Sequence, residues 1–244
     1  MERGESFIMQ AIILAGGAGT RLQGVVKDVP KPMADINGKP FICYLLDYLA
    51  AYDVRKILLS VGYRYEIIRD YFGSQYKYMD IRYVIEDKPL GTGGALKKAL
   101  RAAEGEEFMV LNGDTFFNLD LKKMIDFHHA EDSILTIAVK PMRDFDRYGT
   151  VNIKDSRIVG LEEKTFRHFG YINGGVYAMK KTISGFFDHD KDAFSFEVDF
   201  LHKKINNIHP FAFISDDYFI DIGIPDDYKK AQEELGPISK GLRK

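Results

Sequence analysis

Residues 10–22 read Gln10-Ala11-Ile12-Ile13-Leu14-Ala15-Gly16-Gly17-Ala18-Gly19-Thr20-Arg21-Leu22, and Lys31-Pro32-Met33 follows nine residues later. An apolar run of strand length empties into a loop in which three of the four residues 16–19 are glycine. A hydroxyl and a guanidinium come next. Glycines let the backbone turn tightly and bring its N–H groups to phosphate oxygens, while Arg21 and Lys31 supply the charge that backbone dipoles lack. This is the pattern of an anion site, and the ligand it suggests is a nucleoside triphosphate. Two commoner glycine loops do not fit. The dinucleotide fingerprint G-x-G-x-x-G, counted from Gly17, requires glycine where Leu22 stands. A P-loop counted from Gly19 to Gly24 requires Lys and Ser or Thr where Val25 and Val26 stand.

Outward from this loop the chain alternates. Residues 41–52 carry apolar side chains at 41, 45, 48, 49 and 52, a helical stripe. Residues 56–61 read as a buried strand, 63–72 as a helix ended by Gly73, and 81–85 as another strand. Strand and helix in alternation predict right-handed crossovers and a mainly parallel sheet with helices on both faces. In such sheets ligands bind beyond the carboxyl ends of the strands, where the motifs fall.

Two of those motifs follow at once. Glu86-Asp87-Lys88-Pro89-Leu90-Gly91-Thr92-Gly93-Gly94 leads into a helix, and its glycines leave room for a flat base to approach the backbone, although a glycine-rich helix start is also structurally ordinary. Residues 108–111 are an apolar strand ending in Asn112-Gly113-Asp114, a natural turn that also sets a carboxylate at the strand's carboxyl end. A second acid, Asp221, ends another apolar run, Tyr218-Phe219-Ile220. Two such acids suit Mg²⁺, which takes one or two carboxylates together with phosphate oxygens and water.

From residue 133 the grammar changes. Residues 134–139, 150–153, 158–163 and 171–179 are strand-like with only turns between them, predicting an antiparallel extension of the sheet. This half is expected to hold a second ligand, with Tyr148-Gly149, Glu163-Lys164, Asn173-Gly174, Glu197 and Asp199 as its polar candidates. Ser195 before Phe196-Glu197 also reads as a helix N-cap, so Glu197 is a cap residue, a ligand residue, or both. His128-His129 reads as a solvated pair on a helix, and neither histidines nor cysteine have zinc spacing.

Composition bounds the rest. The 244 residues, 45% hydrophobic and 29% charged, suffice for one α/β domain. With 34 Lys and Arg against 36 Asp and Glu there is no basic field to hold nucleic acid. No apolar run reaches the roughly 18 residues of a membrane span, and residues 1–9 lack the apolar core of a signal peptide. The single cysteine, Cys43, forms no internal disulfide and suits a reducing cytoplasm. Residues 1–9 are expected to be a disordered extension, 10–236 the domain, with its halves meeting near residue 132, and 237–244 a polar tail. A homo-oligomer is compatible with all of this.

At G-G-x-G-T-R-L followed by Lys31-Pro32, the chain resembles the sugar nucleotidyltransferases, and further motifs carry the resemblance to about residue 228. Within that family it resembles the bacterial guanylyltransferases that act on D-glycero-α-D-manno-heptose 1-phosphate. The residues are Phe145-Asp146-Arg147-Tyr148-Gly149-Thr150-Val151, Ile172-Asn173-Gly174-Gly175 and Asp217-Tyr218-Phe219-Ile220-Asp221-Ile222-Gly223. The resemblance implies a single-domain Rossmann-like, glycosyltransferase-A-like fold. It also implies transfer of GMP from GTP to the heptose phosphate, with release of pyrophosphate, for surface glycans of capsule, lipopolysaccharide or surface-layer type.

By the same resemblance, Leu14, Ala15, Gly16, Gly17, Gly19, Thr20, Arg21, Glu86, Pro89, Leu90, Gly91, Thr92, Gly93, Asn112 and Gly113 line the nucleotide. Arg21, Lys31 and Asp114 are catalytic, and Asp114 with Asp221 holds one or two Mg²⁺ ions. Lys164 contacts the sugar phosphate, with Thr165 where the family's E-K-P element has proline. Rival readings are a mannose 1-phosphate guanylyltransferase, a thymidylyl- or uridylyltransferase, a silent regulatory subunit that binds nucleotide-sugar, and a sugar-binding module that uses no nucleotide.

Overall fold

The apolar run becomes strand β1 (Gln10–Ala15), at the centre of a ten-stranded sheet. The computed structural model describes residues 10–17, 19, 22 and 24–241. Strands β4 (Lys56–Val61), β6 (Met79–Ile85) and β7 (Glu107–Asn112) lie parallel with β1 in the order β7-β1-β4-β6, and the short β5 (Gln75–Tyr76) closes that edge antiparallel. Register is set by alternation: Ala11, Ile13 and Ala15 enter one core with Leu59 and Leu111, while Ile12 enters the other with Leu58 and Val110.

Helices cover both faces because each carries one apolar stripe. The first core is closed by α1 (Phe41–Ala51), α2 (Tyr65–Phe72), α4 (Leu121–Ala130) and α6 (Pro225–Gly241), through residues such as Leu45, Ile68, Met124 and Leu235. The second is closed by α3 (Gly91–Ala102), a π-helical turn (Phe196–Leu201) and α5 (His202–Ile208), through Leu96, Leu100, Phe200 and Ile205.

The second half extends the same sheet. The 14-residue β12 (Arg167–Lys180) runs antiparallel to β7 on one side and to β9 (Leu135–Phe145) on the other. Beyond β9 lie β13 (Phe211–Ile214), β11 (Arg157–Glu162) and β10 (Thr150–Lys154). Two small pairs stand apart, β2 (Asp35–Ile36) with β3 (Lys39–Pro40) and β8 (Thr115–Phe117) with β14 (Phe219–Asp221). The fold is the mixed α/β sheet expected, parallel through its nucleotide half and antiparallel through most of the other.

Three local expectations are corrected. Helix α6 runs through Pro237 to Gly241, so residues 237–241 are helical and not a tail. The glycines at 91, 93 and 94 belong to the first turn of α3 itself. His128 is buried, its Nδ1 2.8 Å from Thr136 Oγ1, and burial lowers its pKa to about 4; only His129 reaches the surface, beside Glu107. Cys43 is in the core as expected, its thiol pushed up to about 11 by burial. Among the described residues no helix is long and apolar enough to cross a membrane.

Candidate active site

A cleft of about 210 Å³ opens at the carboxyl ends of β1 and β7. Its wall is Leu14 and Ala15 at the end of β1, Gly17 and Gly19 from the loop that follows, Gly113 and Asp114 after β7, Lys31 and Pro32 from the 3₁₀ turn Lys31–Met33, and Gly223 after β14. Gly17 has open space where a side chain would project, so its backbone faces the cleft. Gly19 has φ +59°, and a β-carbon there would meet Lys31 Cβ at 2.9 Å; the loop can lie against the lysine turn only with glycine at this place. The Gly113 N–H donates to Leu14 O at 2.8 Å, tying the two strand ends together.

Three charges meet in this cleft. Lys31 Nζ is 2.6 Å from Asp114 Oδ2 and 3.6 Å from Asp221 Oδ1. The acids, far apart in sequence, are joined by the β8–β14 pair, which sets Thr115 opposite Asp221, and the Ile222 N–H donates to Asp114 O at 3.0 Å. Burial raises the Asp221 pKa, the Asp114 charge raises it further, and Lys31 and Arg147 oppose them. Asp221 Oδ1 is buried and accepts no hydrogen bond. Two carboxylates, one with an unsatisfied buried oxygen, fit a hard cation whose other ligands come from phosphate and water. Among the described residues no third His, Cys, Asp or Glu joins them.

A second polar cluster lies in the other half. Asn173 Nδ2 donates to Glu197 Oε1 at 2.7 Å and to Tyr177 Oη at 2.8 Å, while its Oδ1 accepts from the Gly175 N–H at 3.0 Å. Burial raises the Glu197 pKa, opposed by the Tyr177 hydroxyl, the Lys164 charge and Asn173, while the Asp114 charge adds to the rise. Glu197 therefore feels both Lys164 and Asp114. Tyr148 leans its ring edge-on to Phe219 at 5.9 Å, and burial with the Asp221 charge holds its hydroxyl protonated. Lys164 is exposed on the loop between β11 and β12, with no ion pair among the described residues.

The nucleotidyl transferase family profile matches residues 10–236. The chain belongs to the nucleotidyl transferase family. It is 50% identical over 229 residues to the D-glycero-alpha-D-manno-heptose 1-phosphate guanylyltransferase of Aneurinibacillus thermoaerophilus, covering 93% of this chain and 98% of that protein. It is 48% identical over 221 residues to the protein of the same name from Campylobacter jejuni, covering 90% and 97% of the two chains. The crystal structure of HddC from Yersinia pseudotuberculosis complexed with GMP-PN superposes with a TM-score of 0.82 at 42% identity, covering 93% of this chain and 99% of that one.

As a nucleotidyl transferase, the chain brings together Leu14, Ala15, Gly17, Gly19, Lys31, Gly113, Asp114 and Asp221, as expected from sequence. Thr20 and Arg21 lie outside the described residues. Gly16 packs against the Glu86 carboxylate, which accepts from Ser60 Oγ and the Leu90 N–H at 3.4 Å each, so Glu86 links the first loop to the 86–94 segment. Burial raises its pKa. Pro89 is exposed beside the buried Leu90. Asn112 lies under Gly175, at the boundary of the two halves.

Six expected ligand residues have other neighbours. The side-chain space at Gly91 and Gly93 is filled by Phe194, and the Thr92 hydroxyl accepts from the Phe196 N–H at 2.9 Å, so a chain segment packs on the side-chain side of these positions. Asp199 accepts from the Ser195 N–H at 2.7 Å and from Lys191 Nζ at 3.1 Å, which lowers its pKa; it caps the π-helical turn. Gly174 is also a packing residue, with Phe117 where its β-carbon would be, and Gly149 lies close to the Glu162 carbonyl. Glu163 is exposed next to Lys164.

Tyr177, Arg147 and Gly223 have no site role in the reading above, although Arg147 and Gly223 stand in its motifs. Tyr177 reaches Asn173 only because β12 is irregular between them, with Gly175 at φ +70°; residues four apart on a regular strand would lie about 13 Å from each other, so spacing along the chain carried no signal. Arg147 pairs with Asp227 at the start of α6 and sends its charge toward Asp221. Gly223 admits Lys31, whose Nζ would be 3.3 Å from a β-carbon there.

Proposed function

We propose that this protein transfers GMP from GTP to D-glycero-α-D-manno-heptose 1-phosphate, forming the GDP-sugar and pyrophosphate. The observation that supports the chemistry is the Lys31, Asp114 and Asp221 cluster in a glycine-walled cleft at the strand ends, with the Glu197 and Asn173 cluster across from it. The guanine nucleotide and the heptose rest on likeness to the two guanylyltransferases and to HddC. Consumption of GTP suits the cytoplasm, and the product suits surface glycan synthesis.

An oxygen of the sugar 1-phosphate attacks the α-phosphorus of GTP, and the bond from that phosphorus to the bridging oxygen breaks as pyrophosphate departs. The nucleophile is already anionic at neutral pH, so no side chain has to remove a proton. Catalysis then consists of positioning and charge stabilisation. Backbone N–H groups of the Gly16–Gly19 loop and the Lys31 ammonium hold the triphosphate, with Arg21 assigned beside them from sequence. Lys164 draws the acceptor phosphate toward an anionic partner, and Glu197, aligned by Asn173 and Tyr177, accepts from sugar hydroxyls. Asp114 and Asp221 would hold Mg²⁺, which when bound neutralises charge on the phosphate oxygens.

The test is pyrophosphate release by the purified protein with Mg²⁺, crossing GTP, ATP, UTP and dTTP with heptose, mannose and glucose 1-phosphates. Release with GTP and the manno-heptose phosphate is expected. Preference for another pair overturns the substrate assignment, and silence with every pair overturns the enzyme.

A further inference from the structure

Lys97 takes no part in the chemistry above, yet it is a buried cation. It lies on α3 at 6% exposure, and its ammonium donates to the carbonyls of Asp188 at 2.8 Å, His189 at 3.1 Å and Lys191 at 3.1 Å. Among the described residues no carboxylate pairs with it. A desolvated ammonium is costly unless its donors are satisfied, and here all three are satisfied by the backbone of one surface loop. One side chain on α3 therefore fixes where that loop lies.

The next residues run across the front of α3. The Asp192 carbonyl fills the side-chain space of Gly94. The Phe194 carbonyl accepts from the Gly93 N–H at 2.9 Å and the Gly94 N–H at 3.3 Å, satisfying donors that open every helix, and the Phe194 N–H donates to Leu90 O at 2.9 Å. The Phe196 N–H donates to Thr92 Oγ1 at 2.9 Å. Ser195 Oγ then accepts from the Val198 N–H at 3.2 Å, starting the turn that carries Glu197. Hydrogen bonds thus hold the segment to α3 at residues 188–191 and again at Phe194 and Phe196, next to the turn that carries Glu197.

We propose that Lys97 is a positioning residue that locks the turn bearing Glu197 onto the nucleotide-side turn at Leu90–Gly94, so that acceptor binding depends on a clasp made in the other half of the molecule. The functional part of this rests on the reading of Glu197 as a sugar ligand. A lysine that merely stabilised the fold would, when replaced, lower the fraction of active protein and leave the remaining molecules with normal KM values.

The experiment compares wild type with Lys97→Met and Lys97→Arg by amide hydrogen exchange and by steady-state kinetics. Exchange over residues 188–199 is expected to rise about tenfold or more in Lys97→Met, with the central strands unchanged. KM for the sugar 1-phosphate is expected to rise about tenfold while kcat stays within about threefold. Lys97→Arg, which keeps charge and donors, is expected to recover part of both. If Lys97→Met does not fold, Gly94→Ala displaces the Asp192 carbonyl from the opposite side and is expected to give the same KM signature. Unchanged exchange over 188–199, or a lowered kcat with both KM values intact, overturns the proposal. Wild-type protein that releases no pyrophosphate would overturn the function, while the exchange comparison still decides whether Lys97 holds the Glu197 turn.

Discussion

Replacing Lys31 by methionine leaves Asp114 and Asp221 facing each other in the cleft with no cation between them. Lys31 is 9% exposed in its side chain, and Asp221 is 21% exposed against 38% for Asp114, so Asp221 is the acid that takes up a proton when the ammonium is gone. Removing one member of a buried ionic cluster costs about 3–5 kcal/mol when the remaining charge cannot be neutralised. Protonation sets a ceiling on that loss. Holding a proton on a carboxylate with an unfolded pKa of about 3.9 costs about 1.4 kcal/mol for each pH unit above it. The ceiling is therefore about 1.5 kcal/mol at pH 5 and about 5 kcal/mol at pH 7.5.

The sign follows from the direction of the shift. Asp221 has a raised folded pKa, so the stability tied to its protonated form is present at low pH and lost as pH rises. Lys31→Met raises that pKa further, and its deficit relative to wild type should grow by about 2–3 kcal/mol between pH 5 and pH 7.5. Urea unfolding of both proteins at the two pH values, without divalent cations, measures it. An equal deficit at both, or a larger one at pH 5, would refute the reasoning that the lysine is the counter-ion of the acid pair.

Other perturbations have equally definite outcomes. His128, depressed to about 4 by burial, makes the unfolded chain bind the extra proton below its ordinary pKa, so wild type should lose about 1–2 kcal/mol between pH 7 and pH 5 that His128→Asn does not lose; thermal melts across that range decide it. Gly174→Ala drives a methyl group into the Phe117 ring and toward the Ala138 carbonyl, so denaturant titration should show a loss of about 1–3 kcal/mol. Lys164→Ala should raise KM for the sugar phosphate about tenfold or more while KM for GTP stays within about threefold; an unchanged sugar-phosphate KM would remove Lys164 from acceptor binding.

The glycine loop and the two acids were legible because their residue types are rare in combination and each follows an apolar run of strand length. Lys31 was legible from its place after the loop, but its contact with both acids depends on β8 pairing with β14, a long-range event that spacing along the chain does not encode. The glycines at 91, 93 and 94 illustrate the opposite case. Absence of a side chain shows that something approaches closely, and only the fold tells that it is Phe194 and Asp192. For the same reason Asp199 reads as a ligand in sequence and serves as a cap, while His128 reads as solvated because the helix stripe did not reveal how deeply α4 packs on β9.

The order of strands also bears on how the protein is made. β13 lies inside the sheet between β11 and β9, and β14 closes the acid pair, although both come from the last tenth or so of the synthesised domain. A nascent chain emerging at about 5–20 residues per second can assemble β1, β4 and β6 early, since these neighbours follow one another in sequence, and β7 then adds to the free side of β1. The acceptor arm must wait with a gap in its hydrogen bonding until β13 arrives. Asp114 likewise waits for Asp221. A chain halted before residue 211 would lack both β13 and the second acid, so the acid pair is completed only when the sheet is.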